Sequence, residues 1–248
     1  MIERTLAELT DAALTAGDAA GYFPALYARV TADVAEGMRT RKFEDVERME
    51  RLAVTFAGYY LRARSGEVSP PRCWQATWEV AGDPNLIIVQ HLLLAFNAHV
   101  NHDLAQAVVD VAPDVGGLDA VRRDFDSINH VLASAFDTVI DDLDRVSRWS
   151  GEVAACGGGR LFNFSLRVAR AQAWDAAERL HALDDDGRRA YVAELDRLVS
   201  VLAYLITRPA LVVAVPVWLA RRLEERDPQV VTRSLLGPLA VAPRPGNR

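Results

Sequence analysis

The chain has 248 residues, half of them hydrophobic and a quarter charged, the composition of a globular protein able to bury a sizeable core. Its formal net charge of -6 argues against nucleic-acid binding, which needs a basic face to neutralise phosphates. Two cysteines, Cys73 and Cys156, stand far apart in no metal-ligand spacing, so the chain reads as free of a disulfide framework and suited to a reducing cytoplasm.

The first residues include acidic side chains and no apolar run, unlike a signal peptide. Residues 2–16 read as a short amphipathic helix closed by Gly17. Phe23, Leu26, Tyr27, Val30, Val34 and Met38 mark one helix face, and Phe43, Val46, Met49, Leu52, Phe56 and Tyr59 a second. Gly66 and the Pro70-Pro71 pair predict a loop, followed by a short helix carrying Trp74 and Trp78. Gly82-Asp83-Pro84 leads into a central helix that ends near Pro113. Asp119 can cap a long helix with Val121, Phe125, Ile128, Leu132, Phe136, Val139 and Leu143 on its apolar face. Gly157-Gly158-Gly159 reads as a hinge before a helix over 161–182, and Asp184 to Gly187 as a turn before helices over 188–207 and 210–226.

Ser200 to Ala220 is the most apolar region, but Arg208, Pro209 and Pro216 interrupt it. Its uncharged run falls short of the roughly 20 residues that a membrane span needs. It reads as buried core helices rather than a span. Strand alternation is almost absent. The expectation is an all-α, single-domain bundle of about eight or nine helices over residues 1–226, with a Pro- and Arg-rich tail, 227–248, that is poorly ordered.

The central helix, Asn85 to Ala112, is apolar on nearly every side through its first half, yet carries His91, Asn97, His99, Asn101, His102 and Asp103. An all-apolar helix is normally buried, and buried polar groups are costly unless paired. These side chains must therefore meet partners, a metal or a ligand inside the protein. His99 and Asp103, at i and i+4, can grip one ion from one helix. His91 lies about 12 Å along the axis from His99, too far to share that ion.

A metal centre would need ligands from a second helix, and the one over 119–149 offers Asp124, Asp126, Asn129 and His130. Histidines and carboxylates on facing helices are how bundles hold transition metals. The more specific HExxH is absent, and the single ExxH pair, Glu178 with His181, stands alone near a helix end. Two readings stay open: a divalent transition metal held by His99, Asp103, Asp126 and His130, or a metal-free network of Asn, His and Asp tying helices together.

Three segments resemble a family. Gln90-His91-Leu92-Leu93-Leu94 with Asn97-Ala98-His99-Val100-Asn101 and Asp103-Leu104 is the first. Asp124-Phe125-Asp126 with Ile128-Asn129 is the second, and Phe164-Ser165-Leu166-Arg167 with Ala169-Arg170 and Ala173-Trp174 the third. Together they are similar to an uncharacterised actinobacterial all-helical family filed as a domain of unknown function. The resemblance spans roughly residues 20–210. It implies an all-helical cytoplasmic protein and brings no activity. It also implies a shared site of His91, Asn97, His99, Asn101, Asp103, Asp126, Asn129, Arg167, Arg170 and Trp174. In the family's pattern the place of His102 is often taken by another residue, which sets His102 aside as a ligand.

Arg167, Arg170 and Trp174 form one helix stripe at i, i+3 and i+7, where two arginines could clamp a carboxylate or phosphate beside an apolar wall, or pair with Asp103 or Asp126. Asp137, Asp141, Asp142 and Asp144 resemble in spacing the aspartate-rich motif of terpene synthases, whose second metal-binding motif is missing here. The triple glycine lacks the Lys and Ser/Thr of a P-loop, and no GxSxG supports Ser-His-Asp catalysis.

The expected function is an enzyme with a buried site for a small, largely apolar molecule, metal-dependent or acid/base, of the isomerase, cyclase, lyase or hydrolase kind. His99, His91, Asp103 and Asp126 are its expected catalytic groups, with Asn97, Asn101, Asn129, Arg167, Arg170 and Trp174 binding substrate. The alternative is a non-catalytic small-molecule binding or interaction protein whose polar cluster is structural. The sequence leaves room for a homo-oligomer.

Overall fold

The computed structural model of the chain describes residues 1–143, 158–208, 217–218 and 220–241, with side chains described outside 129–130, 133–143, 158–165 and 241. The amphipathic first helix, α1 (Ile2–Thr15), turns Ile2, Thr5, Leu9 and Ala13 inward at steps of three and four. A 3-10 turn capped by Asp18 leads into α2 (Tyr22–Arg39). Gly21 lets α1 and α2 close on each other, since a Cβ there would lie 2.9 Å from the Ala13 carbonyl oxygen. The Asp45 side chain accepts from the Arg48 N–H to cap α3 (Val46–Ser65), and Gly66, at φ 79°, ends it in the left-handed conformation.

The short α4 (Arg72–Glu79) borrows its cap from a distant residue: the Asp196 carboxylate accepts from the Arg72 and Cys73 N–H groups at 3.0 and 2.9 Å. The central helix runs as α5 (Ile88–Ala98), then a π turn over His99–Asp103, then α6 (Leu104–Val111). The long α7 (Leu118–Leu143) and α8 (Gly158–Ala182) follow, then α9 (Asp185–Thr207), capped by Asp184. Helices α2, α3, α4, α8 and α9 pack around the α5–π–α6 rod. One hydrophobic cluster extends from Ile2 to Leu236.

The all-α expectation holds. Among the described residues no helix is long and apolar enough to cross a membrane. Within the tail expected over 227–248, of which residues 242–248 lie outside the described residues, Asp227 caps a further helix, α10 (Pro228–Leu236), with Pro228 in the first turn where proline is favoured. Its Val231, Thr232, Leu235 and Leu236 are buried, and it packs on α2. The expected central helix runs without a break from Ile88 to Val111, with the π turn as a local widening inside it. Residues 210–216 and 219 of the helix expected over 210–226, Gly157, Cys156, Asp144 and the side chains of Asp137, Asp141 and Asp142 lie outside the described residues.

Candidate active site

The π turn brings His99, His102 and Asp103 together. Its wide turn bonds the Leu104 N–H to the His99 carbonyl five residues back. The Asp103 carboxylate, 1% exposed, sits at the centre of a set of N–H donors. Its Oδ2 accepts from the Trp74 indole Nε1 at 2.9 Å and from His99 Nδ1 at 3.1 Å, and its Oδ1 from His102 Nδ1 at 2.7 Å. Burial alone would raise the Asp103 pKa, but the hydrogen bonds from His102 and His99 overcome it and hold the carboxyl below its ordinary value. An ionised carboxylate only accepts, so both Nδ1 atoms face it protonated.

His99 is fully enclosed. Its ring lies 3.6 Å from the Phe56 ring at 8°, with the edges of Tyr27 and Phe23 at 4.7 and 5.4 Å. Burial lowers its pKa, against the pull of Asp103, so the imidazole is neutral at pH 7. With Nδ1 donating, Nε2 carries the lone pair, and among the described residues this buried atom has no hydrogen-bond partner.

His99 stands in the wall of a cavity of about 70 Å³. Tyr27, Phe56, Phe96, Leu104 and Phe125 give it a mostly carbon lining, to which Thr31 and Arg170 add polar groups. Arg170 is buried, its Nη2 donating to the Phe125 carbonyl at 2.6 Å and its guanidinium 4.1 Å from that ring's centroid. Burial brings its pKa down to about 10, so it stays cationic at neutral pH. A neutral base and a cation thus share one apolar chamber.

Other expected site residues lie elsewhere. His91 faces a separate small recess with Tyr60, Trp74 and Trp78, its ring edge-on to Tyr22 at 5.8 Å. Asn97 donates to the Val199 carbonyl at 2.8 Å and accepts from Asn101 at 3.0 Å, which ties the π turn to α9. Asp126 is exposed and paired with Arg122 at 2.9 Å. The expected metal centre of His99, Asp103 and Asp126 is therefore not assembled. Phe125 and Asp124 take the inward face of α7, and both Asp103 oxygens already hold N–H donors. His130 and Asn129 have side chains outside the described residues.

Asp124, the remaining candidate on that helix, accepts instead from Arg48 Nε at 2.8 Å and the Glu44 N–H at 2.8 Å. Arg167 is exposed. Trp174 is buried against Phe125 at 5.0 Å and donates to Glu178 at 2.7 Å, away from the cavity wall. Trp74, Phe56 and Tyr27 read in sequence mostly as core aromatics, some of which could line an apolar pocket beside the polar site. The available signal was that a buried indole N–H requires an acceptor.

These motifs, the all-helical fold and the buried His/Asp centre lie in a chain that belongs to a family of unknown function, DUF5995, whose model matches residues 2–209. No curated protein and no solved structure matches it.

Proposed function

We propose that the protein is an enzyme that applies general acid/base chemistry to a small, largely apolar molecule, with His99 moving the proton. The carrying observation is the buried, unpartnered Nε2 of an imidazole whose other nitrogen is tied to an ionised carboxylate. A base of this kind takes a proton from a bound substrate, and Asp103 stabilises the imidazolium that forms. Such positioned groups contribute about 100- to 10,000-fold. Arg170 favours a substrate with an anionic group, or one that gains negative charge during reaction. Isomerisation, cyclisation, elimination and hydrolysis all use this step. The free thiol of Cys73 fits a reducing, cytoplasmic setting.

A second reading, a non-catalytic binding protein, is favoured by the cavity's size. At about 70 Å³ it is roughly half the engineered void that accepts benzene. It therefore admits a reactive group or a very small ligand. The separating test screens small aliphatic and aromatic carboxylates, and their esters, by NMR of both protein and reaction mixture. Turnover that vanishes in a folded His99→Gln variant supports the enzyme. Ligands that bind the cavity with equal affinity in wild type and His99→Gln, with no turnover in any mixture, would overturn it.

A further inference from the structure

Asp103 has a second face, and the structure there brings together three donors that the acid/base centre does not use. Cys73 stands in the first turn of α4, His102 in the π turn and Asp196 on α9. One potential ligand atom from each lies within 4.8 Å of the other two. Cys73 and His102 are buried and Asp196 is half-buried.

A second, independent feature points to a ligand. His102 gives its Nδ1–H to Asp103 Oδ1 at 2.7 Å, leaving Nε2 as the nitrogen with a lone pair. Metal-binding histidines almost always donate their other ring N–H in this way, often to a carboxylate, which fixes the tautomer and the ring. Asp196 is fixed as well, because each of its oxygens accepts one backbone N–H of α4, and the carboxylate also accepts from the Cys73 thiol, whose proton a metal would replace.

We propose that Cys73, His102 and Asp196 form a binding site for one divalent transition metal of the zinc class, ligated by Sγ, Nε2 and a carboxylate oxygen. Thiolate and imidazole together select zinc or cobalt over calcium or magnesium. Three protein ligands leave a fourth position for water, the arrangement of reactive rather than purely structural zinc. Ligands around zinc stand about 3.5 Å apart, so donors already within 4.8 Å of one another need close by no more than about 1.3 Å, with the Cys73 side chain free to turn toward the two fixed ligands. Burial and the neighbouring Asp103 and Asp196 carboxylates push the Cys73 thiol up, so it is protonated before the metal arrives. Binding exchanges that proton for the metal–sulfur bond and releases it to solvent. His99 is not a ligand, so this proposal and the acid/base reading stand or fall separately.

The test uses the full chain, purified without a histidine tag, stripped with a chelator and titrated with cobalt(II) alone. The expected result is one cobalt per chain with a thiolate-to-cobalt charge-transfer band. Zinc displaces it, Cys73→Ser abolishes it, and Cys156→Ser leaves it unchanged. Asp196→Asn weakens binding at least tenfold. X-ray absorption of the zinc-loaded wild type, which needs no variant, is expected to show one sulfur at about 2.3 Å among nitrogen or oxygen ligands. Absence of the band in wild type, a band that survives Cys73→Ser, or a shell without sulfur overturns the site.

Discussion

The His99 imidazole lies flat on Phe56, 8° from parallel at 3.6 Å, while its Nδ1 is bonded to Asp103. The stack fixes the plane of the ring and the bond fixes its rotation, so the direction of Nε2 is set before any ligand arrives. Phe56→Ala removes the first constraint. Because Phe56 is only partly buried, the expected loss is about 2 kcal/mol, below that of a fully enclosed phenylalanine. Urea denaturation measures it, and broadened His99 ring resonances report the freed imidazole.

Trp74→Phe keeps most of the shape at the core but withdraws one N–H from Asp103. Losing a hydrogen bond to a charged group costs about 1.5–3 kcal/mol. The carboxylate then leans more on His99, so the His99 pKa rises relative to wild type. An NMR titration of the imidazole checks the direction, and a downward shift would count against the geometry.

Acid sensitivity follows from two depressed histidines. Burial holds His91 at about 4 against an ordinary 6.5, so the unfolded chain takes up that proton more readily than the native one. Its stabilisation is complete above pH 6.5, falls as the pH drops toward 4 and levels off below, worth about 3 kcal/mol across the window. His99, shifted the same way by burial, adds to the same fall. Asp103 is depressed below the carboxylate range, so its contribution is lost only at lower pH. Urea midpoints between about pH 7 and pH 5 are expected to drop steeply, and His91→Leu to flatten the slope.

Asp124→Ala removes the one buried carboxylate beside Arg48, the two side chains being 1% and 7% exposed, and leaves the guanidinium only its longer pairs with Asp45 at 3.6 Å and Glu44 at 3.9 Å. It also strips the Glu44 N–H of its acceptor. The expected destabilisation is about 3–5 kcal/mol. A thermal melt within a few degrees of wild type would show that the pair is solvated.

Leu235→Ala tests whether the C-terminal segment belongs to the core. Leu235 is 1% exposed within a helix that packs on α2, so truncation is expected to cost about 2–5 kcal/mol. A negligible change would restore the view of residues from 227 onward as a dispensable tail.

How far the sequence reaches can be judged residue by residue. The 3.6-residue periodicity placed α1, α2, α3 and α7, because one-sided burial writes itself directly into apolar spacing. The polar residues of a helix that must be buried marked His99 and Asp103 for the same reason. Asp126 misled, since two carboxylates two residues apart look equivalent until packing turns Asp124 inward and leaves Asp126 with Arg122. The π turn left no mark, because an extra residue in a turn alters no local propensity. The partners of Trp74, Cys73 and Asp196 could not be named from sequence because helix packing sets them, with 29 residues separating Trp74 from Asp103 and 123 separating Cys73 from Asp196.

Asp103 is bonded to both imidazoles, one turned toward the cavity and the other toward Cys73 and Asp196. A single anion holds both rings, and a charge gained at His99 acts on the carboxylate that also fixes His102. A substitution at Asp103 therefore releases both imidazoles at once, the one in the cavity wall and the one beside Cys73 and Asp196.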